Sequence, residues 1–486
     1  MVKLAAAFQR FSIIVIMAFG IVFFIAGVLS NFQMSEELYS LDVFTLYLIG
    51  GLIGVLFVTF VLNNFFSTKW FVITLLSGAF IARFIWIFNA DTQIYSDFSM
   101  LYNGAVMASN GDFSFTENSY FTKWVYQMGF VIYEAFVISL LGDHPFVLKF
   151  INVLVGTGTV GIIYLIGKSV FNELVGRVAG VLYAIYIPAI VMTSVLTNQY
   201  LATFLILSGI YLLVERFEKG KISWLWIGIL FALGHIIRPI GPLVILAVGI
   251  FIMVVYVLKG NNKFTSSGKL LGILGTFFFV QMIISQAFIG AGITDYPLEN
   301  RDPLWKFVVG LNHETTGTYS RKDARILSSL EGDAKEEKQK EMIEQRLSDK
   351  KEVFILAKDK FKLMWGDLDA AVNWSLYGIE APDTKPLLFK IEKAMFTIFF
   401  LFGTVALFAL FKFKESEVNP GYLFLLLLII GYAMIHLIIE IQTRYRFFIM
   451  PSLIIVQSYG IYVIWQQSKL IKSGKKQEVH EEVRSS

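Results

Sequence analysis

No cysteine occurs anywhere in the 486 residues. Disulfides and thiolate metal sites are therefore excluded. Charge is scarce as well: Asp, Glu, Lys and Arg together make only 16% of the chain. With 56% hydrophobic residues, 47 Phe and a mean hydropathy of +0.65, that scarcity excludes a soluble protein and describes a polytopic membrane protein. A glycine-rich phosphate loop is missing too, so a soluble nucleotide sugar has no evident seat.

What the chain has is apolar length. Crossing about 30 Å of hydrocarbon takes roughly 20 residues of helix. Apolar runs of that kind recur at 12–30, 43–62, 70–90, 147–166, 178–196, 200–214, 222–237, 240–258, 270–290, 388–411, 422–439 and 447–465. They lack the alternation of barrel strands, and backbone groups in lipid need partners within the segment, so they read as helices. The expected fold is thus an all-α polytopic membrane protein of twelve spans, the 200–214 run being the shortest.

The distribution of charge sets the orientation. With the N-terminus inside, the short inner loops collect Lys3, Arg10, Lys69, Lys168, Arg177, Arg216, Lys219, Lys221, Lys259, Lys263, Lys269, Lys412 and Lys414. A basic tail from Lys469 adds to them, whereas the short outer loops hold only Arg238, Arg444 and Arg446. Both termini are therefore expected in the cytoplasm. The first run follows Lys3 and Arg10, but it is too long for a signal-peptide core and no small-residue cleavage site follows, so it reads as a retained span.

This layout divides the chain into a two-helix addition (1–66), a transmembrane core (67–290), an external loop domain (291–386), closing spans (387–466) and a cytoplasmic tail (467–486). Two long hydrophilic segments fall outside. In the first, 91–146, Ser96 and Asp97 suit a helix start, and Phe98, Leu101, Tyr102, Ala105 and Ala108 form one apolar face before the Asn110-Gly111 stop. The stretch from Trp124 to Leu141 carries Lys123, Tyr126, Tyr133 and Glu134 in or beside it and reads as a second helix at the membrane surface. The second segment holds Leu304-Trp305-Lys306, the loop Gly310 to Gly317, a charged helical stretch from Ser320 to Ser348, and an amphipathic helix with Val353, Phe354, Leu356, Ala357, Phe361 and Met364. Trp365, Trp374 and its lysines suit an outer-leaflet surface.

Sorted by depth, Asp91, Asp97, Lys123, Arg238, Glu440, Arg444, Tyr445 and Arg446 all fall at outer span ends or just beyond. Arg83 lies about two turns below the outer end of its span and must face the bundle. Each has a plain structural reading. Asp97 suits a first helical turn, Arg238-Pro239 a helix-entry turn, Lys123 an interfacial anchor, and Glu440 with Arg444 an i,i+4 ion pair. His313-Glu314 opens like a metalloprotease helix, but Gly317 stands where the second His belongs, so that chemistry is set aside. Asp91 and Asp97 are six apart and offer two ligands to a divalent ion without the tight acidic cluster of a metal site; no cofactor is assigned.

The plain readings are less convincing jointly, because independent accidents would not gather at one face. A carboxylate beside fixed cations suits group transfer from a phosphate ester: guanidinium groups hold the phosphate and the carboxylate takes a proton from the attacking hydroxyl. At the outer edge of a membrane the donor is most naturally lipid-linked.

The segment Tyr95-Ser96-Asp97-Phe98-x3-Tyr102-x2-Ala105-x5-Gly111 resembles the first external loop of the GT-C superfamily, specifically bacterial membrane glycosyltransferases similar to dolichyl-phosphate-mannose protein mannosyltransferases. Lys123-x2-Tyr126-x2-Gly129 looks like a degenerate form of that family's Lys-Pro segment. Arg238-Pro239 resembles its later Arg-Pro turn, and Glu440-x3-Arg444-Tyr445-x5-Pro451 its closing signature. Thr197-Asn198-Gln199 departs from the pattern, standing where many relatives carry an acidic residue. The resemblance runs from Arg83 to Pro451. It implies a GT-C fold and an inverting sugar transfer from a polyprenyl-phosphate donor to an extracytoplasmic polymer, lipid or protein. Asp97 would be the base with Asp91 as the second candidate, Arg238, Arg444 and Lys123 would hold the phosphate, and Arg83, Glu440, Tyr445 and Tyr102 would support them. The expected partners are donor, acceptor and lipid bilayer, with no nucleic acid.

Two other classes remain open at this point. A twelve-span secondary transporter fits the count, but no internal repeat is visible and the ionisable groups cluster at one face rather than the midplane. An envelope polysaccharide ligase or polymerase also pairs many spans with large external loops; the early acidic loop favours the transferase.

Overall fold

The computed structural model describes residues 2–36, 38–258, 262–412 and 418–485. Lys259 and Lys414 lie outside the described residues, as do the side chains of Lys3 and of the tail from Lys469. Helix dominates throughout; among the described residues the β pairing is a lone antiparallel bridge, Trp124 to Asn300. Every apolar run falls mainly on helical backbone. By length and composition six helices can cross a membrane: Ala7–Ser35, Asp42–Asn64, Thr68–Asn89, Pro145–Val170, Lys263–Gly290 and Thr384–Lys412. The bent pair Glu173–Ala184 and Ile187–Ser194 is long and apolar enough only when taken together, as a broken span or a re-entrant loop. Ser223–Ile237, Gly241–Val257 and Gly421–His436 are shorter. The sequence count of twelve is larger because it includes shorter apolar helices, such as Ser223–Ile237 with 15 residues and Gly421–His436 with 16.

The 178–196 run was expected as one span, and the structure corrects it to two helices bent by 63°. Pro188 is the cause: it has no amide to donate to the carbonyl of Ala184, so the helix cannot pass through it. Arg83 makes good the loss. It is fully buried, and its guanidinium donates to the carbonyls of Ala184 (3.2 Å), Tyr183 (3.3 Å) and Ala79 (3.1 Å). Arg83 therefore faces the bundle as its depth required, but it serves as a helix cap and not as part of an open cavity.

One end of the bundle gathers the site. The helices Thr68–Asn89, Ser223–Ile237, Lys263–Gly290 and Gly421–His436 all end there. The opposite end carries the expected inner cations, paired locally: Lys168 with Glu173 (2.8 Å), and Arg177 with Glu173 (3.0 Å) and the carbonyls of Leu62 and Phe66 (both 2.8 Å).

The first helix, Val2–Ser35, packs along Thr384–Lys412 through reciprocal glycines. The Phe400 ring lies over Gly27, and the Phe24 ring lies over Gly403, where a Cβ would come within 2.0 Å of the ring. Asn31 donates to the carbonyl of Trp365 (2.7 Å) and joins this helix to the large loop. A Gly403→Leu variant is expected to lose about 1–3 kcal/mol through overpacking. Thermal unfolding in detergent checks this; an unchanged melting temperature would show that the helices separate without cost.

The two hydrophilic segments fold as helices. Asp97–Ser109 buries Phe98, Leu101, Gly104 and Ala105 and ends at Asn110, with Gly111 at φ +80°. It lies against Met128–Leu141, which buries Glu134 among apolar side chains. In the large loop, Trp305–Gly310, Arg321–Ser328, Gly332–Leu347, Lys350–Gly366 and Ala371–Ser375 are helical. The charged stretch expected as one helix is two, broken at 329–331. Trp305, Val308, Val309, Leu327 and Met342 form a small core there, with Arg346 forked onto Asp323 (2.9 and 3.0 Å).

Candidate active site

Asp97 opens its helix beside a backbone conformation few side chains adopt. Ser96 sits at φ 58°, ψ −141°, a region nearly reserved for glycine and costing about 1–3 kcal/mol unless its surroundings impose it. Those surroundings are visible. Tyr95 stacks on Tyr377 (3.3 Å between centroids) and on Trp374 (4.7 Å). The amide of Gln93 donates to the carbonyl of Tyr377 (3.3 Å), and the Ser99 hydroxyl donates to the carbonyl of Ser96 (2.7 Å). Ser96 makes no capping hydrogen bond. The large loop thus holds the turn that aims Asp97.

Asp97 itself is exposed, and the protein crowds its remaining sides. Burial raises its pKa above the ordinary carboxylate value, Arg444 and then Lys306 pull it down, and Glu440 pushes it up. Solvent access and crowding are both real here: the carboxylate is at the surface with charged side chains around it.

Those charged side chains form a connected chain. Lys306, second in the Trp305–Gly310 helix, is ion-paired with Glu440. The Gln442 amide donates to Glu440 (3.0 Å), and Arg444 Nε donates to Gln442 Oε1 (2.6 Å). Arg444 lies over the rings of Trp374 (4.5 Å) and Phe98 (5.3 Å), the residue next to Asp97. Residues 440–442 are not helical. The expected i,i+4 pair of Glu440 and Arg444 is accordingly corrected: Glu440 pairs with Lys306 and reaches Arg444 through Gln442.

Arg238 precedes Pro239, is extended (φ −148°, ψ 127°) and ends its helix, as the residue before proline tends to. It donates to Asn198 Oδ1 (2.7 Å) and lies over the Tyr445 ring (5.7 Å). Asn198 thus orients this arginine at the position that departs from the acidic pattern. Tyr126 stands among these charges: Lys306, Arg238, Tyr445 and Glu440 all act on it, while burial pushes its hydroxyl up to about 12.

Asp97, Arg444, Tyr445, Glu440 and Arg238 therefore come together, and the other expected site residues stand apart. Tyr102 is five residues along the helix from Asp97, on another face, and donates to Asp143. Asp91 is exposed beside Lys149, whose ammonium donates to the carbonyl of Thr92 (3.1 Å). Lys123 is a docking point: its carbonyl accepts the Arg301 amide (2.9 Å), next to the Trp124–Asn300 bridge. Arg83 is the helix cap described above. Among the described residues no three His, Asp or Glu side chains converge as a metal set. Lys306 went unassigned in the sequence, although a lone cation in the otherwise apolar Trp305-Lys306-Phe307-Val308-Val309 stretch is a signal of a partnered charge.

Residues 128–285, about a third of the chain, match the family described as dolichyl-phosphate-mannose-protein mannosyltransferase. Over that segment the chain is similar to a family of mannosyltransferases. No curated protein matches it. Among solved structures, the oligosaccharyltransferase AglB of Archaeoglobus fulgidus, in complex with an inhibitory peptide and a dolichol-phosphate, aligns at 14% identity and a TM-score of 0.49, over 84% of this chain and 52% of that one. The apo form of the same archaeal enzyme aligns at 13% identity and a TM-score of 0.49, over 85% of this chain and 52% of its own. The chain thus spans about half the length of these enzymes. The matched segment, residues 128–285, includes the helices Pro145–Val170, Gln199–Arg216 and Ser223–Ile237 and the turn at Arg238.

Proposed function

We propose that the protein is a membrane glycosyltransferase of the GT-C type that moves a sugar from a polyprenyl-phosphate donor to an acceptor outside the cytoplasmic membrane, with inversion at the anomeric carbon. One observation carries the reading: an exposed carboxylate, Asp97, stands at one end of the bundle within the field of Arg444 and Lys306, with Arg238 in the same cluster. In this mechanism Asp97 accepts the proton of the attacking hydroxyl. Arg444, Arg238 and Lys306 neutralise the charge that develops on the departing phosphate. Glu440 and Gln442 fix two of those cations, and Tyr445 backs the third. The donor's isoprenoid tail lies between helices while the loop 291–386 covers the site and shapes the acceptor groove. Both termini lie on the cytoplasmic face, opposite the site.

The direct test is purified protein in proteoliposomes given polyprenyl-phosphate sugars and envelope acceptors. Transfer that requires the lipid-linked donor supports the reading; transfer from a nucleotide sugar alone would sink it.

The pH profile supplies a second check. Transfer needs ionised Asp97, so activity falls as pH drops through its pKa, and the raised pKa puts this acid limb above the ordinary carboxylate range. Arg444→Gln removes a lowering influence and should move the limb to higher pH. Glu440→Gln removes a raising one and should move it to lower pH. Rate profiles with both limbs unmoved would detach Asp97 from the titration.

A further inference from the structure

Lys360 lies in the amphipathic helix Lys350–Gly366 and is fully buried. Its ammonium donates to three backbone carbonyls: Gly310 (2.6 Å), Ile439 (2.8 Å) and Leu437 (3.0 Å). Burying a lysine without a carboxylate is costly, so such a group persists where dipoles replace the missing anion. Here they do. Gly310 is the last residue of the Trp305–Gly310 helix, and Leu437 and Ile439 directly follow the Gly421–His436 helix. Carbonyls at helix C-terminal ends lack amide partners and carry partial negative charge.

The two segments clamped by this ammonium are those that bear the two halves of one ion pair. Lys306 is four residues before Gly310, and Glu440 directly follows Ile439. Two backbone bonds join the same segments: the Glu440 amide donates to the Lys306 carbonyl (2.9 Å), and the Ile441 amide donates to Gly317 (2.9 Å). Space explains the glycines at the ends of this loop. A Cβ on Gly310 would come 2.2 Å from the Ile439 carbonyl carbon, and one on Gly317, at φ +73°, would come 2.7 Å from Cε of Lys360. The stretch from Gly310 to Gly317, set aside above as a metal motif, is a seat for a lysine.

We infer that Lys360 is a positioning residue of the transfer site, an internal cation through which the large external loop sets the Lys306–Glu440 pair. The inference rests on the reading that this pair belongs to the transfer site. Without the ammonium, three buried carbonyls lose their donor and the two segments lose the charge between them. The pair then drifts, and with it the Gln442–Arg444 chain that reaches Asp97.

The test is a double-mutant cycle on the full-length protein in proteoliposomes with a polyprenyl-phosphate sugar. Lys360→Met is measured in the parent and in the Lys306→Met background. Action through the pair predicts a fall in kcat/KM of about 10-fold or more in the parent, and less than about 2-fold where Lys306 is already gone. A merely structural lysine would cost the same factor in both backgrounds, and that result overturns the inference. Lys306→Met with full transfer activity would instead overturn membership of the pair in the site, whatever Lys360 does. Should Lys360→Met fail to accumulate, Lys360→Gln, which keeps a donor and loses the charge, enters the same cycle with the same criteria.

Discussion

Replacing Asp97 with Asn is expected to lower the turnover of sugar transfer by about 10²- to 10⁴-fold, the usual worth of a positioned general base. The amide has nearly the shape of the carboxylate and cannot take the acceptor's proton. The fold should survive, because Asp97 is exposed and its helix is anchored by Phe98, Leu101 and Ala105, not by its first side chain. Transfer measured beside a melting curve separates the two effects: activity lost with the melting temperature kept is the expected result. Near-normal turnover would remove Asp97 as base and turn attention to Asp91. That second carboxylate has a poorer setting, since the cation beside it is Lys149 and the cations of the site surround Asp97.

The largest effect on stability should come from Arg446→Met. Arg446 is fully buried, with Asp369 (3.4 Å) and Glu392 (3.8 Å), both buried, as its ionic partners. It also donates to the carbonyls of Asp367 (2.9 Å) and Thr443 (3.1 Å), and the Phe396 ring lies 4.4 Å below its guanidinium. This one side chain ties the Thr443–Phe448 turn to the large loop and to the Thr384–Lys412 helix. Taking the cation away leaves two buried acids facing each other, and removing one partner of such a group costs about 3–5 kcal/mol. Lysine is a poor substitute, because its single point charge cannot reach this spread of acceptors. Thermal and denaturant unfolding in detergent measure the loss. The triple variant Arg446→Met, Asp369→Asn, Glu392→Gln should regain most of it, as the stranded charges are then gone. An Arg446→Met protein that melts with the parent would show that the network carries no stability.

These two residues also mark the limits of reading the chain alone. Asp97 is legible because its signals are local: it follows an apolar run, begins an amphipathic period and ends at Asn110-Gly111. Arg238 is legible for the same reason, since Pro239 both ends a helix and exposes the residue before it. Arg446 is not. In sequence it is one more cation beside Arg444, two residues away, yet Arg444 lies over Phe98 beside Asp97 and Arg446 points into the core. The 3-10 turn that separates them depends on Asp369 and Glu392, which lie 77 and 54 positions upstream. Glu440 misleads in the opposite way. Its spacing from Arg444 suits a helix, but the Lys306 carbonyl takes up the Glu440 amide and holds the segment extended.

By itself the sequence determined the apolar helical class and which charged residues stand at span ends. Each of these follows from local composition: apolar length against hydrocarbon thickness, helical period, and cations sorted by loop. The tertiary structure decided which charges meet. Lys306 pairs with Glu440, Arg83 caps a helix broken by Pro188, and Lys360 bridges two distant helix ends. A buried charge must find a partner or a dipole, and most of the partners these three found stand a hundred or so residues away or a few tens, beyond the reach of any local pattern.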